Sequence, residues 1–143
     1  MSLVIPVHNG VDFVAESIDE ARRFLDQRCQ GSEIVIVDDG STDGTVAALD
    51  SLLNDRVQLI SLPQNLGKFA ALKAGMAVAT GRCRVFTDAD LPYDLEALPY
   101  VADLVNVRGY DIVVGDRTLP ESLSFSNSRV ARKLSSRIFS YCV

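Results

Sequence analysis

The chain is poor in the side chains that most often carry reactive chemistry. Its 143 residues include one histidine, His8, and three cysteines, Cys29, Cys83 and Cys142. The cysteines are odd in number and fall at no metal-like spacing, so a reduced, cytoplasmic setting is the default expectation. No apolar run approaches the length of a membrane span, and the first residues have no signal-peptide layout. Basic residues are scarce over most of the chain: residues 1–128 hold 10 of them against 19 acidic ones. That acidity argues against a nucleic-acid binder, whose footprint is usually broadly basic. The first apolar run is followed by His8-Asn9-Gly10 and not by Gly-x-Gly-x-x-Gly, which argues against a dinucleotide-binding Rossmann domain. Internal repeats, linkers and low-complexity segments are missing as well.

What is present has the proportions of one soluble globular domain, 48% apolar and 23% charged. Residues 2–7 read as a buried strand, and Pro6 marks its end because proline cannot donate to a central ladder. Val11, Val14, Ala15, Ile18 and Leu25 mark one face of a helix that Gly31 stops. A second strand covers 33–37, and helical spacing resumes at Val46, Leu49 and Leu53. A third strand covers 57–62. Phe69, Leu72, Met76 and Ala79 make the apolar face of the next helix, closed by Gly81. A fourth strand covers 84–87, a helix follows through Leu95, Leu98, Val101, Ala102 and Val105, and a fifth strand covers 111–114. Residues 129–141 read as a last helix. Short apolar strands alternating with helices predict an α/β fold, a mostly parallel central sheet with helices on both faces.

Ligands of such sheets bind beyond the C-terminal strand ends. That rule puts His8, Asp38, Asp39, Asn65, Asp88, Asp90 and Arg117 along one rim. In Asp88-Ala89-Asp90 the two carboxylates share a face, because residues i and i+2 of an extended chain do. Hard divalent cations take such oxygens together with substrate phosphates. Taken alone, the pair is more often turn and helix-cap chemistry; polar residues at the other strand ends favour a site. Asp38 stays open between a cap for the Gly40 turn and a ligand. Asp43 reads as a helix cap, and Lys73 as part of a solvated helix face. A phospho-receiver domain would also gather acids, but its paired acids follow the first strand, and here they follow the second.

Taken together, several stretches resemble the family 2 glycosyltransferases, the inverting enzymes of the GT-A nucleotide-sugar-binding fold. The matching segments are Val4-Ile5-Pro6-Val7-His8-Asn9, Val37-Asp38-Asp39-Gly40-Ser41-Thr42-Asp43-Gly44-Thr45 and Asn65-Leu66-Gly67-Lys68. Ala70, Ala71, Gly75 and Thr80-Gly81 continue the pattern. Asp88-Ala89-Asp90-Leu91 and Gly115-Asp116-Arg117 complete it. The resemblance implies a core over 1–117 that binds a nucleotide diphospho-sugar. Pro6, Val7, His8, Val37, Asp39, Lys68, Asp88, Ala89 and Asp90 would form the donor site. Pro6 and His8 would line the base pocket, Asp39 would accept from the base, and Asp88 would face the ribose or base side. Asp90, with Asp88, would hold Mg²⁺ or Mn²⁺ at the two phosphates, and Asp88, Asp90 and Arg117 would form the catalytic set.

Residues 118–143 are expected to begin the acceptor region of the same, longer domain. Residues 129–143 hold four basic residues and no acidic one. Arg129, Arg132, Lys133 and Arg137 fall on one helical arc, with Val130, Leu134, Ile138 and Tyr141 roughly opposite. Basic amphipathic helices commonly bind membrane surfaces, although a solvated face packing on the core stays open. The pattern resembles the polyisoprenyl- and dolichyl-phosphate hexosyltransferases, in which two arginines grip the lipid phosphate. Arg117 matches the first, and Arg129 or Arg132 the second. The partners so implied are a UDP- or GDP-sugar and a polyprenyl phosphate at the cytoplasmic face of a membrane, with homo-oligomerisation left open. Transfer to a glycan hydroxyl and a non-catalytic donor-binding fragment are the alternatives. Two positions depart from the family pattern: Gly10 replaces a frequent Glu, and Pro92 stands where some relatives carry a third metal ligand.

Overall fold

The computed structural model describes residues 1–115. Along the chain these form β1 (Ser2–Val7), α1 (Val14–Arg28), β2 (Glu33–Asp38) and α2 (Thr45–Leu49), which runs into a 3₁₀ turn at Asp50–Leu52. Then come β3 (Val57–Ser61), α3 (Lys68–Val78), β4 (Arg84–Phe86) and α4 (Ala97–Asn106). The strands make a parallel sheet in the order β3-β2-β1-β4. The chain steps outward from β1 to β3 and then crosses back to the far side of β1. Right-handed crossovers in opposite directions put their helices on opposite faces. Accordingly Leu3, Ile5, Ile34 and Ile36 pack with Val14, Ile18, Ala21 and Leu25 of α1, while Val4, Val35 and Val37 pack with Ala71 of α3. Fully burying each Leu or Ile here contributes about 1.5–3 kcal/mol.

β1 covers the expected 2–7, running one residue past Pro6 to Val7 opposite Asp38. The proline ring is accommodated by parity. Ser2 N–H donates to Cys83 O and Val4 O accepts from Thr87 N–H, so even-numbered residues of β1 face β4. The β4 ladder stops at Val4 opposite Phe86, so the missing Pro6 N–H points where β4 has already left the sheet. Proline thus sits beyond the end of the β4 ladder and leaves the β2 ladder intact.

Three local expectations need correction. Val11 lies exposed in the turn before α1, where its N–H donates to Asp43 Oδ2 at 3.1 Å. Phe69 is 82% exposed, and α3 instead buries Ala71 and Gly75. The helix lies so close to the sheet that a Cβ on Gly75 would meet Val4 Cγ1 at 2.5 Å and Val37 Cγ2 at 2.9 Å. Ala71, Gly75 and Ala79 make the closest part of its inner face, with the expected Leu72 and Met76 packed partly buried beside them. Finally, residues 111–114 form no strand, and Ile112 and Val114 are exposed. A β-branched run becomes a strand only where a neighbour supplies a ladder and a covered face. The expected helix over 129–141, with Arg117, Arg129 and Arg132, lies outside the described residues. Among the described residues no helix is long and apolar enough to cross a membrane.

Candidate active site

The strand order reverses between β1 and β4, and ligands of open α/β sheets bind at such a switch point, beyond the strand ends. The first wall of that region is the loop after β1. His8 Nδ1 donates to the Asp39 carbonyl at 2.8 Å, and the Asn9 amide donates to Nε2 at 3.2 Å. Both contacts are met by one tautomer, with the proton on Nδ1. Asn9 turns through a positive φ of 52°, which asparagine tolerates. Its N–H donates to Ser41 Oγ and its Oδ1 accepts from Thr42 N–H, both at 2.8 Å. Gly10 N–H donates to Thr45 Oγ1, also at 2.8 Å. The loops after β1 and β2 are therefore strapped into one unit. Asn9, Ser41, Thr42 and Thr45 carry this strap; all four lie in the family-matching segments, but the sequence assigned them no role.

The two acids that end β2 part company. Asp38 is buried, and its Oδ1 accepts from Ser41 N–H at 3.1 Å, a turn role. Asp39, also buried, reaches the loop after β3: Oδ1 accepts from Leu66 N–H at 2.8 Å and Oδ2 from Gly67 N–H at 2.9 Å. Gly40 permits this closeness. It has φ +65°, and a Cβ there would sit 2.3 Å from the Gln64 carbonyl carbon. Asp43 accepts from Thr45 N–H at 2.9 Å, as a cap does. The hydroxyl of Thr45 is the main cause that holds its carboxyl below the usual range.

From Gly67 the chain enters α3, and Lys68 forms an ion pair with Asp88 in the loop after β4. Asp88 is half-buried, Ala89 is buried in the core and Asp90 is exposed. Both carboxylates reach solvent, and Leu91 N–H closes the turn on Asp88 O at 3.1 Å. Pro6, Val7 and Val37 are buried beneath the rim. His8, Asp39, Lys68 and Asp88 thus belong to one run of contacts crossing the strand ends.

Among the described residues no three His, Cys, Asp or Glu side chains form a closed metal cage. Two outward carboxylates suit Mg²⁺ or Mn²⁺, which take one or two of them and complete their shell with water and phosphate. Asp88 already holds a cation, the Lys68 ammonium. The donor set fits the metal that the pattern implies. A cavity of about 90 Å³ near Arg22, Asp26 and Arg56, at the opposite end of the sheet, is far below the roughly 300 Å³ of a nucleotide-sized pocket.

The fold is that of the GT-A glycosyltransferases. A mannosyltransferase from Pyrobaculum calidifontis, solved in complex with GDP-Man and Mn²⁺, matches with TM-score 0.58 and 27% identity over 73% of this chain and 32% of that one. The chain belongs to glycosyl transferase family 2, whose sequence model matches residues 2–141. It is 31% identical over 132 residues to the uncharacterised glycosyltransferase YkcC of Bacillus subtilis (strain 168), covering 91% of this chain and 41% of that protein. It is 33% identical over 116 residues to an undecaprenyl-phosphate 4-deoxy-4-formamido-L-arabinose transferase of Yersinia pestis (strain Pestoides F), covering 79% of this chain and 35% of that protein. The chain spans about two fifths or less of these relatives.

Proposed function

We propose that this chain is the donor-binding part of an inverting glycosyltransferase that moves a hexose from a UDP- or GDP-sugar to a polyprenyl phosphate. The observation that carries the reading is the exposed Asp88–Asp90 turn at the switch point between β1 and β4, with the Lys68 ammonium on Asp88. The relatives support it: one is an undecaprenyl-phosphate sugar transferase, and a structural neighbour was solved with GDP-Man and Mn²⁺.

In this reading His8 and Asp39, above Pro6, Val7 and Val37, shape the base pocket. Asp39 keeps further lone pairs beyond those given to Leu66 and Gly67. Lys68, at the first turn of α3, offers its ammonium to the diphosphate where a helix N-terminus also favours an anion. Asp90 and Asp88 hold Mg²⁺ or Mn²⁺. When bound, the metal neutralises the departing nucleoside diphosphate.

The acceptor phosphate oxygen forms the new bond to the anomeric carbon as the bond to the diphosphate breaks. That oxygen is already anionic at neutral pH, so no general base is required. Arg117, with Arg129 or Arg132, would hold it. The reaction belongs at the cytoplasmic face of a membrane, where the lipid acceptor lies.

A transfer assay tests the reading: the chain with Mn²⁺, a panel of UDP- and GDP-sugars, and undecaprenyl phosphate or an oligosaccharide. A polyprenyl-phosphate sugar that is lost in Arg117→Ala supports it. Transfer to the oligosaccharide alone moves the enzyme to the hydroxyl-acceptor branch. Donor binding with neither product marks a non-catalytic domain.

A further inference from the structure

The Lys68–Asp88 ion pair joins the first residue of α3 to the loop after β4, 20 residues further along the chain. Both side chains are about half exposed, 55% and 41%. A pair so open to solvent contributes little to folding, so stability does not account for it. Its position does. Asp88 and Asp90 share one tight turn, and the ammonium rests on Asp88 Oδ1, an oxygen that a divalent cation at this pair would use.

The backbone around Lys68 is fixed while its side chain is not. Gly67 N–H is tied to the Asp39 carboxylate, and Gly67 O accepts from Ala70 N–H at 2.9 Å. The four-carbon stem can therefore swing from Asp88 to another anion without moving the helix.

We propose that Lys68 is a placeholder cation. With no donor bound, its ammonium occupies Asp88 and lowers the affinity of the pair for a free divalent ion. When a nucleoside diphosphate enters, the ammonium turns to the phosphates and releases Asp88 to the metal. Metal and nucleotide then bind synergistically, and a free metal ion is held weakly. This rests on the donor-site reading above.

The test is Mn²⁺ binding by the 143-residue chain, followed as loss of the free-ion EPR signal, with Mn²⁺ alone and with Mn²⁺ plus UDP or GDP. Lys68→Gln should bind Mn²⁺ alone roughly two- to fivefold more tightly than the unmodified chain, the range an exposed ion pair allows. The tightening of Mn²⁺ by nucleotide should shrink in that variant. Lys68→Arg should retain the weak binding of Mn²⁺ alone. Lys73→Gln, which removes an equal charge from the exposed side of the same helix, should change neither value.

The inference is overturned if nucleotide tightens Mn²⁺ on the unmodified chain while Lys68→Gln leaves Mn²⁺ alone unchanged or weaker, or if Lys73→Gln matches it. If Mn²⁺ fails to bind the unmodified chain even with UDP and GDP, and Asp90→Asn behaves identically, the donor-site reading itself fails and the placeholder with it.

Discussion

The Asp39 carboxylate grips the backbone of Gly67, accepting its N–H at 2.9 Å through one oxygen while the other takes Leu66 N–H at 2.8 Å. One buried acid at the end of β2 thereby fixes the loop that delivers Lys68 to the rim. Hydrogen bonds to a charged acceptor are each stronger than neutral ones, and leaving buried partners unmet is expensive.

Asp39→Asn is therefore expected to destabilise the fold by about 2–3 kcal/mol, because the amide places a donor against one of the two N–H groups. Urea unfolding should show a lowered midpoint, and hydrogen exchange at Leu66 and Gly67 should accelerate. Unchanged exchange would mean the loop is held by something else.

Gly75→Ala separates packing from helix propensity. Alanine is the better helix former by about 1 kcal/mol, yet its Cβ would meet Val4 and Val37. Overpacking costs typically 1–3 kcal/mol, so the variant should be less stable by equilibrium unfolding. A gain in stability would mean that α3 shifts freely on the sheet.

Glu33 makes stability depend on acid. Burial works to raise its pKa, but hydrogen bonds from Ser2 Oγ, from Thr80 Oγ1 and N–H and from the Gly81 backbone outweigh it and bring the group to about 2, against an ordinary 4.5. A depressed carboxylate contributes stability that is fully present above its unfolded pKa and is lost as pH falls through the folded value. The contribution, on the order of 3 kcal/mol, should decay between pH 4.5 and about 2. Glu33→Gln should lose it at neutral pH and flatten that limb in pH-dependent unfolding curves.

Much of this was legible because local chemistry and topology agreed. The apolar strands predicted the parallel sheet, and the spacing of Asp88 and Asp90 put both acids in the loop after β4, although Ala89 between them, expected in the donor site, is buried in the core. Misreadings arose where a distant partner decided the outcome. Phe69 marked the wrong face of α3 because the closeness of Val4 and Val37 to Gly75 is invisible in a periodic pattern. Pro6 rightly pointed to the end of β1, which comes one residue on at Val7, but the sequence did not show that its ring sits on the side β4 abandons. The clamp of Ser2, Glu33 and Thr80 joins residues up to 78 positions apart, and although Thr80 lies in the family pattern nothing in the sequence tied it to Glu33, a charged residue opening an apolar strand.

The central claim is that Asp88 and Asp90 hold a metal-bound nucleotide diphosphate. Thermal unfolding of the chain with UDP, GDP and their sugars, each with Mn²⁺ or with EDTA, tests it most directly. A ligand at a hundredfold excess over its Kd stabilises the folded state by about 2.7 kcal/mol, a rise of several degrees in Tm. The account predicts that rise for one nucleotide, only with Mn²⁺, and its loss in Asp90→Ala. Well-folded protein whose Tm moves with none of them, or moves equally in Asp90→Ala, would contradict it.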